Sequence, residues 1–252
     1  MRTEYSISIK SEEELAILRE AGAILAKIIN ELKRSLKSGI TTKDVDTRAE
    51  ELIKGYNVIP AFKGYRGFPA NICISLNEQV VHGIPSDRVI KEGDIVSLDV
   101  GIIYKNYFSD TAVTMGIGAI KPELQKLLQV AEQSLYKGIE QAHVDHHLSD
   151  ISHAVQSFVE ANGFSVVRDF VGHGIGRRLH EDPEIPNFGI AHQGPLLKKG
   201  MVLAIEPMVN LGGWPTKILN DGWTVVTQDG AASAHFEHTI TITDKEPEIL
   251  TQ

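Results

Sequence analysis

Four acids stand where apolar strands rarely leave them. Asp99 interrupts the run Ile95-Val96-Ser97-Leu98-Asp99-Val100, and Asp110 lies near a second β-prone stretch. With Tyr104-Lys105 at the centre of a turn, the two carboxylates face each other across strands, about 5 Å apart. Adjacent carboxylates repel and are costly to bury unless a cation or a shared proton joins them. The plain alternative is a loop acid at 110 and a lone hydrogen-bonded strand acid at 99. Glu206 closes the apolar run from Met201 to Ile205, and Pro207 after it cannot donate a ladder hydrogen bond, so the strand ends or lies at an edge there. From His235 to Ile242 polar and apolar residues alternate, which puts Glu237, Thr239 and Thr241 on one strand face.

A histidine-bearing segment, Gly172-His173-Gly174-Ile175-Gly176-Arg177-Arg178-Leu179-His180-Glu181, completes the set. Glycines around His173 permit close backbone approach. Read alone, this is equally a Gly-rich turn with two surface histidines. Read together, Asp99, Asp110, Glu206 and Glu237 supply four negative charges and His173 a neutral nitrogen, enough to neutralise two divalent cations. Oxygen ligands with one imidazole suit manganese, iron, cobalt or zinc. Such a set fits a two-metal hydrolytic centre.

The elements that must position these residues alternate along the chain. Ser11 and Glu14 have capping-box spacing, and Leu15, Leu18, Ala21, Leu25, Ile28 and Leu32 recur at helical spacing. Thr42 is expected to cap a second helix through Val45, Ala49, Leu52 and Ile53, ending near Gly55. Short β-prone runs follow to Asp110. Pro122 opens a third helix, a fourth runs through Ile151, Val155 and Phe158 to Asn162-Gly163, and strands with Gly-rich turns fill the rest. Helices, strands, helices, strands in that order indicate an α+β chain in two halves of similar plan, read as one domain over 1–252. The formal charge of −8, from 33 acidic and 25 basic residues, speaks against general nucleic-acid binding. Cys73 is the single cysteine, which excludes an intrachain disulfide and a thiolate zinc site. Met1-Arg2-Thr3-Glu4-Tyr5 carries no signal-peptide core, and no run reaches the roughly 20 apolar residues of a membrane span. A cytoplasmic protein without membrane or specific nucleic-acid partners is expected.

The ordered motifs Asn77-Glu78-Gln79-Val80-Val81-His82-Gly83-Ile84-Pro85, Asp99, Asp110, GHGIGRRLHE, AIEPM and HFEHTIT resemble those of the type I methionine aminopeptidases over nearly the whole chain. The resemblance implies the pita-bread fold, two pseudo-symmetric α/β halves around a central antiparallel sheet. It implies that Asp99 chelates one metal ion, that Asp110 and Glu237 bridge two, and that His173 and Glu206 complete the coordination of the other ion. It further implies a bridging water whose proton Glu206 handles, His82 near the scissile amide, and His180 on the substrate carbonyl. Tyr65, Phe68, Cys73 and Trp223 resemble the wall of the methionine pocket, a slot that suits an unbranched thioether; each is also ordinary core material. The pattern departs at Leu179, where many bacterial relatives carry phenylalanine, and at Arg66, where histidine is frequent. The implied partners are N-termini of nascent peptides, with a transient ribosome contact and a monomeric enzyme preferring a small second residue. Glu206 and Glu237 stand too close in the chain for the helical subdomain that type II enzymes insert there. Two rivals are a proline-specific aminopeptidase or dipeptidase of the same fold, and an inert fold-mate acting as a binding protein. The first usually carries a large extra N-terminal domain, and the second typically loses metal ligands.

Overall fold

In the computed structural model, residues 6–252 are described; the Met1–Tyr5 stretch read for a signal peptide lies outside them. Helix α1 (Glu12–Ser35) starts at the expected capping box, with Ser11 accepting from the Glu14 amide and the Glu14 carboxylate accepting from the Ser11 amide. Its stripe of Leu18, Leu25, Ile28 and Leu32 is fully buried, each contributing about 1.5–3 kcal/mol of transfer free energy. Helix α2 (Thr42–Gly55) corrects the expected cap by one residue. Thr41 is the cap: its hydroxyl accepts from the Asp44 amide at 3.1 Å, and Asp44 accepts from the Thr41 amide at 2.8 Å. Thr42 turns inward and exchanges hydrogen bonds with the Ser86 backbone, so it has no oxygen to spare for capping.

Helices α3 (Pro122–Ile139) and α4 (Leu148–Ala161) follow, the first with proline in its opening turn, the second closed by Asn162 and by Gly163 at φ 85°. The main sheet runs, neighbour to neighbour, through Ile59–Pro60, Ile95–Tyr104, Tyr107–Gly116, Glu237–Thr241, Val202–Ile205, Val171–Gly174 and Glu181–Pro186. Cys73–Leu76 adds to the Ile95–Tyr104 strand, and all these pairings are antiparallel. Val202–Ile205 is an interior strand, so Pro207 marks its end and not an edge.

Helix pairs cover one face of the sheet. Leu25, Ile28, Leu32, Val45 and Ile53 of α1 and α2 pack with Val96, Leu98, Val100 and Ile102. Leu127, Leu135, Ile151 and Val155 of α3 and α4 pack with Leu203, Ile205 and Ile240. The period of two then dictates what the other face receives: Ser97, Asp99 and Gly101 from one strand, Ala204 and then Glu206 from another, Glu237, Thr239 and Thr241 from a third. Apolar burial against two helix pairs thus aims the acids at the opposite side.

Candidate metal centre

Strand register assembles the acids in two rows. Cys73 pairs with Asp99, Asp99 with Ala112, and Ala112 with Glu237. The adjacent pair His238–Ile205 carries this row on to Glu206. Two residues along, Asp110 lies opposite Gly101, Thr239 donates to the Asp110 carbonyl at 2.7 Å, and Ala204 pairs with both Thr239 and His173. Ligand-type side chains alternate with Ala112, Thr239 and Ala204, whose short side chains leave the space between the acids open. The hairpin register differs from the expected one. Lys105 and Asn106, at φ 47° and 65°, form the turn, and Tyr104 pairs with Tyr107. A two-residue turn with positive φ at both positions matches the strand twist, which moves the register by two residues. Asp99 and Asp110 are therefore diagonal neighbours on one face, close enough for the charge of Asp99 to raise the pKa of Asp110.

Donor atoms of Asp110, His173 and Glu237 all lie within 4.8 Å of one another. Glu206 reaches His173 Nε2 at 3.5 Å with one oxygen and His235 Nε2 at 3.4 Å with the other. His173 Nδ1 donates to the Gly174 carbonyl at 2.9 Å, which leaves its Nε2 lone pair facing the acids. Gly174 has no room for a side chain, since a Cβ there would stand 2.1 Å from the Asp182 carbonyl oxygen. Asp99 Oδ1, Asp110 Oδ1, Glu237 Oε1 and His235 Nε2 are buried with no hydrogen-bond partner. A buried acceptor left bare costs about 1–3 kcal/mol, more when charged. Burial raises all four carboxylic acids, Asp99 and Glu206 to about 7, with mutual repulsion adding to the effect at Asp99, Asp110 and Glu237. Four crowded acids, three of them with an orphaned oxygen, and a presented imidazole fit divalent cations.

Above this floor lies a hollow of about 300 Å³ lined by Tyr65, Phe68, Cys73, His82, His180 and Trp223 together with the acids. Phe68 and Trp223 meet edge to face at 5.2 Å. Cys73 is a buried thiol beside Asp99, its pKa pushed up by burial and by that acid. His82 adopts φ 58° and stands edge-on to Phe170 and Trp223. Gly83 behind it lies so close to the Ile74 carbonyl that a Cβ would approach within 2.2 Å. That close packing pins the turn which presents His82. Burial pulls His82 down to about 4, so it is neutral at neutral pH. His180, whose ring centroid lies 4.3 Å from that of His173, stands at the mouth with its residue surface exposed, and its pKa is lowered by the protein around the ring, by His173 and by Arg66. Every residue proposed from the sequence thus borders one hollow.

His235 was not singled out. It is 2 % exposed and faces Glu206. The chain changes sheets at Phe236, with Ser233–His235 pairing to Met208–Asn210, yet residues 235 and 237 keep the two-residue period and face the same centre. That alternation was the available signal.

An antiparallel sheet with helix pairs on one face and clustered acids and imidazoles on the other defines a metal-dependent hydrolase. The chain belongs to metallopeptidase family M24, matched over residues 16–244, and within it to the methionine aminopeptidases. It is 55 % identical over 245 residues to the methionine aminopeptidase of Clostridium perfringens, covering 97 % of this chain and 98 % of that one. The crystal structure of the Thermotoga maritima methionine aminopeptidase is 47 % identical, with TM-score 0.96 over 98 % of this chain and 99 % of that one. The Pyrococcus furiosus prolidase, 24 % identical with TM-score 0.79, shares the pita-bread fold; the match covers 97 % of this chain but 65 % of the prolidase.

Proposed function

We propose that this chain removes the N-terminal methionine from nascent polypeptides with a small second residue, using two divalent metal ions. The observation that carries the proposal is the single hollow that joins an apolar aromatic slot to a floor of four crowded acids. Asp99, Asp110, His173, Glu206 and Glu237 would hold the ions. A pair of divalent cations held there would polarise the scissile carbonyl and make water a nucleophile at neutral pH. Glu206, bracketed by His173 and His235, takes the proton of the attacking water and returns it to the leaving amine. Tyr65, Phe68, Cys73 and Trp223 receive the methionine side chain and keep bulk water from the reacting carbonyl. His180, at the mouth, stabilises charge developing on the carbonyl oxygen. His82, neutral and fixed by its turn, sits beside the scissile amide and serves the leaving nitrogen.

The main sheet joins strands from both halves, which supports one catalytic domain. No described helix is long and apolar enough to cross a membrane. A monomer meeting new N-termini in the cytoplasm, in transient contact with the ribosome, agrees with this reading.

With manganese, cobalt, iron or zinc supplied, the protein is expected to release methionine from Met-Ala-Ser and to leave Ala-Pro peptides intact. A chelator should stop the reaction and added metal restore it. Cleavage of Ala-Pro instead would favour a proline-specific enzyme, and no cleavage of either would favour an inert binding protein. His82→Ala is expected to slow kcat about 10²-fold, as for a proton-handling group, with both ions retained. Metal analysis of that variant checks the assignment, since loss of both ions would make His82 part of the metal set.

A further inference from the structure

We infer that Tyr65 is a positioning residue, whose hydroxyl donates to His180 Nδ1 and so fixes the imidazole as the tautomer carrying its proton on Nε2. The two atoms are 2.7 Å apart, and the rings stand 5.3 Å apart at 39°, so the contact is a directed hydrogen bond between rings that do not stack. A neutral imidazole has one N–H, and whichever nitrogen accepts leaves the other as donor. The proposal rests on the reading of His180 as the group that stabilises the carbonyl oxygen, a task that needs a donor.

Arg66 decides the direction. Its guanidinium carbon lies 5.4 Å from the Tyr65 ring centroid. A cation over the ring withdraws electron density, which makes the phenol a better donor and a poorer acceptor. Backbone geometry holds the pair in place. Tyr65 opens a one-turn 3-10 segment (Tyr65–Gly67) entered through Gly64 in the left-handed region, and the Tyr65 amide donates to Phe62 while its carbonyl accepts from Phe68. The hydroxyl is thus aimed from a short, hydrogen-bonded turn, and the slot wall and the tautomer lock are one side chain.

Tyr65→Phe keeps the ring and removes only the hydroxyl. With Met-Ala-Ser, kcat is expected to fall about 3- to 10-fold, the worth of one hydrogen bond, while KM stays within about twofold. In a His180→Ala background the same change should alter kcat by less than about twofold, because the partner is gone. Nitrogen-15 spectra of the wild-type protein should show His180 protonated on Nε2 alone, with a tautomer mixture in Tyr65→Phe. A loss confined to KM, an equal loss in both backgrounds, or a wild-type His180 protonated on Nδ1 would overturn the inference. His180→Ala with wild-type kcat would instead remove the role of His180 itself, and with it the reading on which the inference stands.

Discussion

Glu206→Gln is expected to lower kcat by about 10²–10⁴-fold, the range for removing a group that carries the proton in the rate-limiting chemistry. Glutamine matches the shape, and the Glu206 backbone carbonyl still accepts from Asn187, so the strand end is undisturbed. What disappears is a proton acceptor and one of four negative charges. The second loss has its own signature. The Glu206 carboxylate raises the pKa of Asp99, Asp110 and Glu237 by repulsion. In the metal-free variant those three acids should titrate at lower pH than in the metal-free wild type, and the variant should be the more stable of the two at pH 8.5. An inactive protein with a less frustrated apo state separates a functional carboxylate from a structural one, whose removal would cost both activity and stability. Steady-state kinetics on Met-Ala-Ser and thermal unfolding of the chelated proteins measure the two effects. Activity within about fivefold of wild type would reject Glu206 as the proton carrier.

How far these residues could be read before the fold was known depended on what set their positions. The helices announced themselves through apolar spacing and caps, because burying a stripe on α1 or α3 is a local property of the chain. The centre was readable because acids inside apolar runs are expensive, so Asp99, Glu206 and Glu237 had to be explained. Register was harder. Whether Tyr104-Lys105 or Lys105-Asn106 forms the turn changes which residue faces Asp99, and the choice turns on two backbone angles that are positive at Lys105 and Asn106. Spacing could show that His235 shares the face of Glu237, but not that the chain changes sheets between them at Phe236. Nor could it show that Thr42, a capping residue by type, is occupied by Ser86, which sits far along the chain. Contacts between distant segments decided each of these. The small residues between the acids, Ala112 and Ala204, take their meaning only from the strand pairings that set the acids in rows.

The same crowding makes the metal-free protein pH-sensitive. Asp99 and Glu206 hold their protons to about 7, against ordinary values of 3.8 and 4.5, and burial and repulsion raise Asp110 and Glu237 in the same direction. A folded-state pKa above the unfolded one means the native chain keeps a proton that the unfolded chain has released. The associated stability is complete below the unfolded value and is lost as pH rises through the folded one. Lowered histidines act the opposite way: for His82 and His238, at about 4 against 6.5, stability is present above 6.5 and lost as pH falls toward 4. Between about 4.5 and 6.5 the two slopes oppose each other. Above 6.5 these two histidines are neutral in both states and the acids decide, joined near pH 9 by the Cys73 thiol, whose raised pKa acts in the same direction. The chelated protein is therefore expected to lose thermal stability from pH 6.5 to pH 9, each 1 kcal/mol lost lowering Tm by about 2–4 °C in a chain of this size. Divalent ions held by the deprotonated acids are expected to restore about 2.7 kcal/mol at 100 times Kd, and their binding near pH 7 to release protons to the buffer. The Tm gap between metal-loaded and chelated protein should accordingly widen as pH rises. A gap that stays constant from pH 6.5 to 9, or calorimetry showing no proton release on binding, would mean that cations are not what these carboxylates are gathered to hold.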